Sequence, residues 1–191
     1  RGDLMKVQVK RSLITVLLGA SLLMMAGCGT QNVMDTYSFG NQVIHSGKSE
    51  ITIALPYEMG KSPQSESNDG YPMDLYGSNS AHIMIQVQAL QALPNKPLPT
   101  VDDYVKGRES EFASLAATIT TEQIDLNGVP ATKIMGTFPG QNRQNSISQY
   151  VFINEGVLWN ITYVYPTDDQ VGADISKEIQ NKIYVTQKKE G

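Results

Sequence analysis

The chain has 191 residues, 15 basic and 19 acidic side chains, and a formal net charge of −4. This length suits a single domain with a sizeable core. The first 27 residues hold four of the basic and one of the acidic side chains, so the remainder carries −7. Because phosphate contacts need Lys and Arg, this acidity excludes nucleic acid as the expected partner.

The first predicted element is a short apolar run, residues 13–28, which follows Lys6, Lys10 and Arg11. A basic start, a short apolar stretch and small residues before a cleavage point are typical of a secretory signal peptide. The run is too rich in Gly, Ser and Thr for a membrane-spanning helix, which needs about 20 apolar residues. Residues 1–27 are therefore predicted to be a signal peptide.

The run ends in Cys28, the single cysteine of the chain. Met25-Ala26-Gly27-Cys28 resembles the lipobox of bacterial lipoproteins, in which the thiol takes a diacylglyceryl group before cleavage. The resemblance implies lipidation at Cys28, with residues 28–47 as a lipidated tether and entry segment. It also implies a lipid-anchored location at the cell membrane, on the extracytoplasmic face. The alternative is an ordinary cysteine at the end of a cleaved signal.

The next part of the chain predicts strands around a long loop. Residues 50–55 and 81–89 alternate apolar residues with period two, which is typical of strands. A further short strand is expected at residues 37–39 or 43–44. Residues 60–79 are rich in Gly, Ser, Pro, Asn and Asp without apolar periodicity, so we expect a long, mobile loop there.

Two helices and two hairpins are predicted in the second half. Thr100-Val101-Asp102-Asp103 and residues 167–170 are capping-box patterns that predict helix starts. The final helix is expected to place Val171, Ile175, Ile179 and Ile183 on one face. The hairpins are joined by Asn127-Gly128 and Glu155-Gly156, pairs that favour tight turns. Their predicted strands are residues 118–126, 129–138, 147–154 and 157–165.

Hairpins and two helices predict an α+β fold with an antiparallel sheet packed between helices. Residues 48–187 are expected to form this single domain. The order resembles the PsbP/Mog1/DcrB-like superfamily, on Leu55-Pro56-Tyr57, the Asn127-Gly128 hairpin, residues 150–152 and 159–163, and the closing helix. The resemblance implies the fold. It implies little about function, because members serve photosystem assembly, small-GTPase binding and bacterial envelope roles.

The strongest candidate site is an aromatic face on the second hairpin. A two-residue turn at Glu155-Gly156 would place Phe152 opposite Trp159. The residues of this face proposed to bind are Tyr150, Phe152, Trp159 and Tyr163. They form either the core under a helix or a hydrophobic groove for a ligand or partner. Coverage of the face by the final helix would decide between these alternatives.

Catalytic chemistry is not indicated. The histidines are His45 and His82, and no serine lies in a Gly-x-Ser-x-Gly motif. His82 with Asp69 or Asp74 would be a metal site, but no ligand spacing supports it. The paired acids at the two helix starts are expected to cap the helices. We therefore expect no catalytic residue, no metal and no cofactor.

The sequence thus predicts a lipid-anchored, non-enzymatic binding protein outside the cytoplasm, which engages a protein partner in envelope assembly or maintenance. The alternative is a lipoprotein that binds a small ligand or a metal ion, with residues 60–79 as a lid. A closed aromatic core and an acidic surface would favour the protein partner. An open pocket with converging polar groups would favour the ligand.

Overall fold

The computed structural model describes residues 37–186 except residues 64, 68 and 181. The predicted signal peptide, the lipobox and Cys28 lie outside the described residues. The helices are α1 (Val101–Ser114) and α2 (Gln170–Gln180). The strands are β1 (Gly40–Ser46), β2 (Ser49–Leu55), β3 (Gly60–Lys61), β4 (Ser65–Glu66), β5 (Pro72–Asn79), β6 (Met84–Gln91), β7 (Thr118–Leu126), β8 (Val129–Pro139), β9 (Gln144–Asn154), β10 (Val157–Pro166) and β11 (Ile183–Val185).

The strands form two antiparallel sheets. The large sheet has the order β3-β5-β6-β10-β9-β8-β7, with β4 also paired to β5, and the small sheet has the order β1-β2-β11. One face of the large sheet packs on α1 through Val105 and Phe112. The other face packs on α2 and the small sheet. The predicted α+β fold, with an antiparallel sheet between helices, is therefore confirmed.

Both predicted hairpins form with two-residue turns. Asn127 and Gly128 have φ of 56° and 89°, and Glu155 and Gly156 have φ of 48° and 71°. Positive φ at both central residues is the type I′ geometry that suits the twist of paired strands. In the second hairpin Phe152 lies opposite Trp159, as predicted.

The first predicted helix start is confirmed and the second needs a correction. Thr100 Oγ1 accepts from the Asp103 N–H at 3.1 Å and caps α1. At α2, Asp169 caps the helix instead of Thr167, because its Oδ1 accepts from the Gly172 N–H at 3.0 Å. The prediction that Ile183 lies on the final helix is also wrong. α2 ends before it, and Ile183 belongs to β11, which pairs with β2.

The prediction of a long loop at residues 60–79 is wrong. Residues 73–79 of β5 pair continuously with β6, and β3 and β4 flank β5 on its other side. The alternating pattern is hidden because β5 turns a carboxylate inward: Asp74 is 7% exposed. A buried acidic residue at this position looks like a loop residue in the sequence.

The predicted domain boundary at residue 48 falls inside a hairpin. β1 lies within residues 28–47 and pairs with β2 from Gly40↔Leu55 to Ser46↔Ser49. Ile44 and Ser46 of β1 are buried. The small sheet therefore includes a strand that the sequence analysis assigned to the entry segment.

Candidate functional site

The predicted aromatic face forms the core of the domain. Tyr150 is 2% exposed, and Phe152, Trp159 and Tyr163 are 0% exposed. The rings of Phe152 and Trp159 stack with centroids 6.5 Å apart. α2, through residues such as Ile175, and the small sheet share this cluster and cover the face. Of the two alternatives for this face, the burial of these side chains shows core packing, and the alternative of an open groove on them is wrong.

Trp159 is also held by a hydrogen bond between the two sheets. Its Nε1 donates to Ser49 Oγ at 2.9 Å, and Asn154 Nδ2 donates to the same oxygen at 3.0 Å. Ser49 is buried on β2, so one hydroxyl accepts from two strands of the large sheet. Because a buried donor without a partner is costly, this bond fixes the orientation of the indole.

The hydroxyls of Tyr150 and Tyr163 are buried without a hydrogen-bond partner among the described residues. Their rings lie 5.9 Å apart in an edge-on arrangement. Burial raises the pKa of both phenols above the ordinary value, so both stay neutral. The alternation of the strands places these residues on one face, but the sequence carries no signal for the unpaired hydroxyls.

A chain of polar side chains beside these phenols ties α2 to the large sheet. Lys133 Nζ donates to Gln180 Oε1 at 3.2 Å and lies 5.6 Å from the ring centre of Tyr150. Gln180 Nε2 donates to Ser176 Oγ at 2.8 Å and to Ser148 Oγ at 3.4 Å. These side chains thus bond to one another, and the hydroxyls of Tyr150 and Tyr163 take no part.

A second polar network, which the sequence does not indicate, lies beneath α1. Asn160 Nδ2 donates to Tyr104 OH at 3.1 Å and to Gln88 Oε1 at 3.3 Å. Burial raises the pKa of the Tyr104 phenol. Asn160 alternates with Trp159 along β10, so the sequence made its face look solvated. The members of the network are Gln88, Tyr104, Arg108, Gln149, Asn160 and Thr162.

Removing one tyrosine hydroxyl on the α2 side of the large sheet and one on the α1 side should have different effects on stability. Tyr150→Phe is expected to leave the free energy of unfolding unchanged or to raise it, because it removes a buried hydroxyl without a partner. Tyr104→Phe is expected to lower it by about 1 kcal/mol, since Asn160 loses a hydrogen-bond partner. Urea denaturation of both variants measures the difference. A larger loss for Tyr150→Phe would mean that its hydroxyl is bonded in solution.

Both histidines lie beside a carboxylate, and the partner of His82 differs from those weighed in the sequence. His82 Nδ1 lies 2.9 Å from Asp169 Oδ2, so neither Asp69 nor Asp74 is its partner. His45 Nδ1 lies 3.3 Å from Glu50 Oε2 at the surface of the small sheet. Within the described residues, no group of three or more His, Cys, Asp or Glu could hold a metal ion. Asp169 therefore orients an imidazole and caps a helix.

Asp74 is the buried acid of the large sheet, and its charge is neutralised. Lys61 Nζ lies 2.9 Å from Oδ1, while Oδ2 accepts from Ser46 at 2.9 Å and from Gln91 at 3.1 Å. Burial alone would raise the pKa of Asp74, but these hydrogen bonds outweigh it and lower the pKa. The carboxylate thus joins β1, β3 and β6.

No helix between residues 37 and 186, where the structure describes the chain, is long and apolar enough to cross a membrane. No protein-family model and no curated protein matches the sequence. The likeness is to solved structures of low sequence identity.

The fold is PsbP-like. The solution structure of cyanobacterial PsbP (CyanoP) from Synechocystis sp. PCC 6803 matches with a TM-score of 0.50 and 16% identity, over 85% of this chain and 99% of that one. LpqN of Mycobacterium tuberculosis, described as involved in cell envelope biogenesis, has a TM-score of 0.47 and 12% identity, over 85% and 99%. A Bacteroides thetaiotaomicron structure has a TM-score of 0.45 and 9% identity, over 74% of this chain. This chain spans 46% of that protein.

Proposed function

We propose that the chain is a lipid-anchored, extracytoplasmic binding protein that engages a protein partner in envelope assembly or maintenance and performs no catalysis. The lipobox-like Met25-Ala26-Gly27-Cys28, at the end of a signal-like run, supports the anchor. Since the chain after residue 27 carries −7, its own surface would be repelled by anionic lipid. Attachment therefore depends on lipid at Cys28.

The closure of the aromatic face carries the part of the proposal that concerns a protein partner. A small ligand needs a concave, largely apolar pocket with a few converging polar groups. Trp159 and Tyr163 are 0% exposed, the Trp159 indole bonds to Ser49, and Lys133 bonds to Gln180 of α2. Recognition is therefore expected on the outer surface, which suits a macromolecule.

Cys28→Ser is expected to abolish acylation and to block cleavage by the lipoprotein signal peptidase, because serine offers no thiol for the thioether. Mass spectrometry of the N-terminal peptide from native membranes measures both effects. Thr30→Ser, which leaves the thiol in place, should be processed like the unchanged protein. An unchanged protein with a free Cys28, or with a mature N-terminus elsewhere, would contradict the anchor.

Photo-crosslinking in intact cells tests the partner. A crosslinking residue is placed at Val43, Lys106 or Gln123, which are exposed on the small sheet, α1 and β7. The expected result is a discrete adduct with one envelope protein from at least one position. Absence of protein adducts at all three positions, together with a small molecule retained in native mass spectrometry, would overturn the proposal.

A further inference from the structure

β7 is the long, free edge of the large sheet. It pairs with β8 along nine residues and has no strand on its other side. The opposite edge of this sheet consists of β3 and β4, each two residues long. The small sheet has β11 and β1 as its edges. β11 has only three residues, and in β1 the backbone carbonyl of His45 already accepts a hydrogen bond from Tyr76 OH. Of these edges, β7 offers the longest template for another strand.

The turn at Asn127-Gly128 determines which backbone groups of β7 point outward. In a two-residue hairpin the flanking pair, Leu126 and Val129, exchanges both backbone hydrogen bonds. Bonded and non-bonded pairs alternate from there, because the register continues without a bulge to Thr118↔Thr137. The N–H and C=O groups that face away from β8 are those of Ile119, Thr121, Gln123 and Asp125.

β7 lacks several of the devices that usually protect a sheet edge, since it is long and has no bulge in its pairing with β8. Its sequence, TITTEQIDL, has no proline and no lysine and is rich in β-branched residues, which favour pairing. The side chains of Gln123 and Asp125 turn back to the hairpin, to Thr132 and to the Gly128 N–H. In the described part of the chain, no loop or side-chain hydrogen bond occupies the outward groups.

The charge of β7 indicates which strand would fit. Its charged residues are Glu122 and Asp125, and both are exposed. Glu122 lies opposite Lys133 in the register, but Lys133 Nζ donates to Gln180 instead. An added strand would meet Glu122 in a non-hydrogen-bonded pair, in which side chains approach closely. Antiparallel pairing of two copies centred on Glu122 would oppose like charges, which is unfavourable.

We propose that the free edge of β7 accepts an extended, basic segment of a partner protein as an additional strand of the large sheet. Backbone hydrogen bonds to residues 119–125 hold the segment, and a Lys or Arg opposite Glu122 sets its register. The proposal rests on the protein-partner function proposed above and adds its surface and its chemistry.

The test uses two nine-residue peptides of alternating Thr and Val, one with Lys and one with Glu at the centre. Fluorescence anisotropy measures their binding to the full lipidated chain in detergent micelles. The Lys-centred peptide should bind about three- to tenfold more tightly than its Glu-centred twin. Glu122→Lys, at an exposed side chain, should reverse this preference. No binding of either peptide, or equal binding of both, would overturn the proposal.

Thr121→Pro separates edge pairing from fold stability. The substitution removes an outward N–H, a place where edge strands tolerate proline, so the pairing with β8 should survive. It should weaken binding of the Lys-centred peptide at least about tenfold, while Thr121→Val, which keeps the N–H, should not. Circular dichroism checks that both variants fold. If Thr121→Pro does not fold, Glu122→Lys decides alone.

Amide hydrogen exchange tests directly which N–H groups of β7 point outward. Without peptide, the amides of Ile119, Thr121 and Gln123 should exchange quickly, whereas those of Thr120 and Glu122 should be protected. The Lys-centred peptide should protect the first group. Concentration-dependent dimers that Thr121→Pro abolishes would instead assign the edge to a second copy of this chain.

Failure of this inference can be told apart from failure of the proposed function. A crosslinked envelope protein that binds Thr121→Pro as well as the unchanged chain would reject the β7 site and keep the partner. Peptide binding at β7, with no protein adduct in cells and a small molecule retained in native mass spectrometry, would show a competent edge and reject the proposed function.

Discussion

Trp159→Ala is expected to lower the free energy of unfolding by about 3–5 kcal/mol, the usual cost of a large truncation in a core. Trp159 is 0% exposed and stacks on Phe152, so its removal leaves a cavity. The substitution also removes the indole donor from Ser49, which joins the two sheets. Because domains of this kind have a total stability of about 5–15 kcal/mol, the variant should lie close to unfolding.

Thermal and urea denaturation, followed by circular dichroism, measure this loss. The matched control is Ile153→Ala on the same hairpin, because Ile153 is 36% exposed and packs less. It should cost under about 1 kcal/mol. A comparably small loss for Trp159→Ala would contradict the core assignment and support the alternative of an open groove at the aromatic face.

The parts of the fold that could be predicted depend on local sequence. Asn127-Gly128 favours positive φ whatever the rest of the chain does, so the first hairpin and its register follow from a few residues. Thr100 caps α1 for the same local reason. The aromatic face is also local, because a two-residue turn at Glu155-Gly156 determines which side chains of the second hairpin lie together.

The parts that could not be predicted depend on distant partners. Asp74 tolerates burial only because Lys61, Ser46 and Gln91 surround it, and these come from three other strands. Ile183 continues the four-residue spacing of Ile175 and Ile179, yet it pairs with Ile53, far away in the chain. Long-range pairing of this kind leaves no periodic signal.

The candidate site shows the same division. Sequence grouped the aromatic residues correctly but could not show whether α2 covers them, because coverage depends on how α2 docks. The outward groups of β7 follow from the turn, but that the edge is free depends on the order of strands in the sheet. The docking of α2 is therefore the step that turns an aromatic surface into a core.

Gly172 controls this docking. A Cβ at Gly172 would lie 2.5 Å from the carbonyl oxygen of His82 and 2.8 Å from Tyr165 Cβ. One of these atoms belongs to the backbone beside β6, so α2 would have to shift away from the sheet. Such a shift would also move Ile175 and Ile179, which cover the aromatic face.

Gly172→Ala is therefore expected to lower the free energy of unfolding by about 1–3 kcal/mol, as overpacking does. Gly107→Ala in α1 is the matched control, because a Cβ there meets nothing within 4 Å. Since alanine favours a helix over glycine, this control should gain about 0.5–1 kcal/mol. Urea denaturation compares the two variants. Equal effects would mean that helix propensity alone decides, and that α2 does not depend on a close approach to His82.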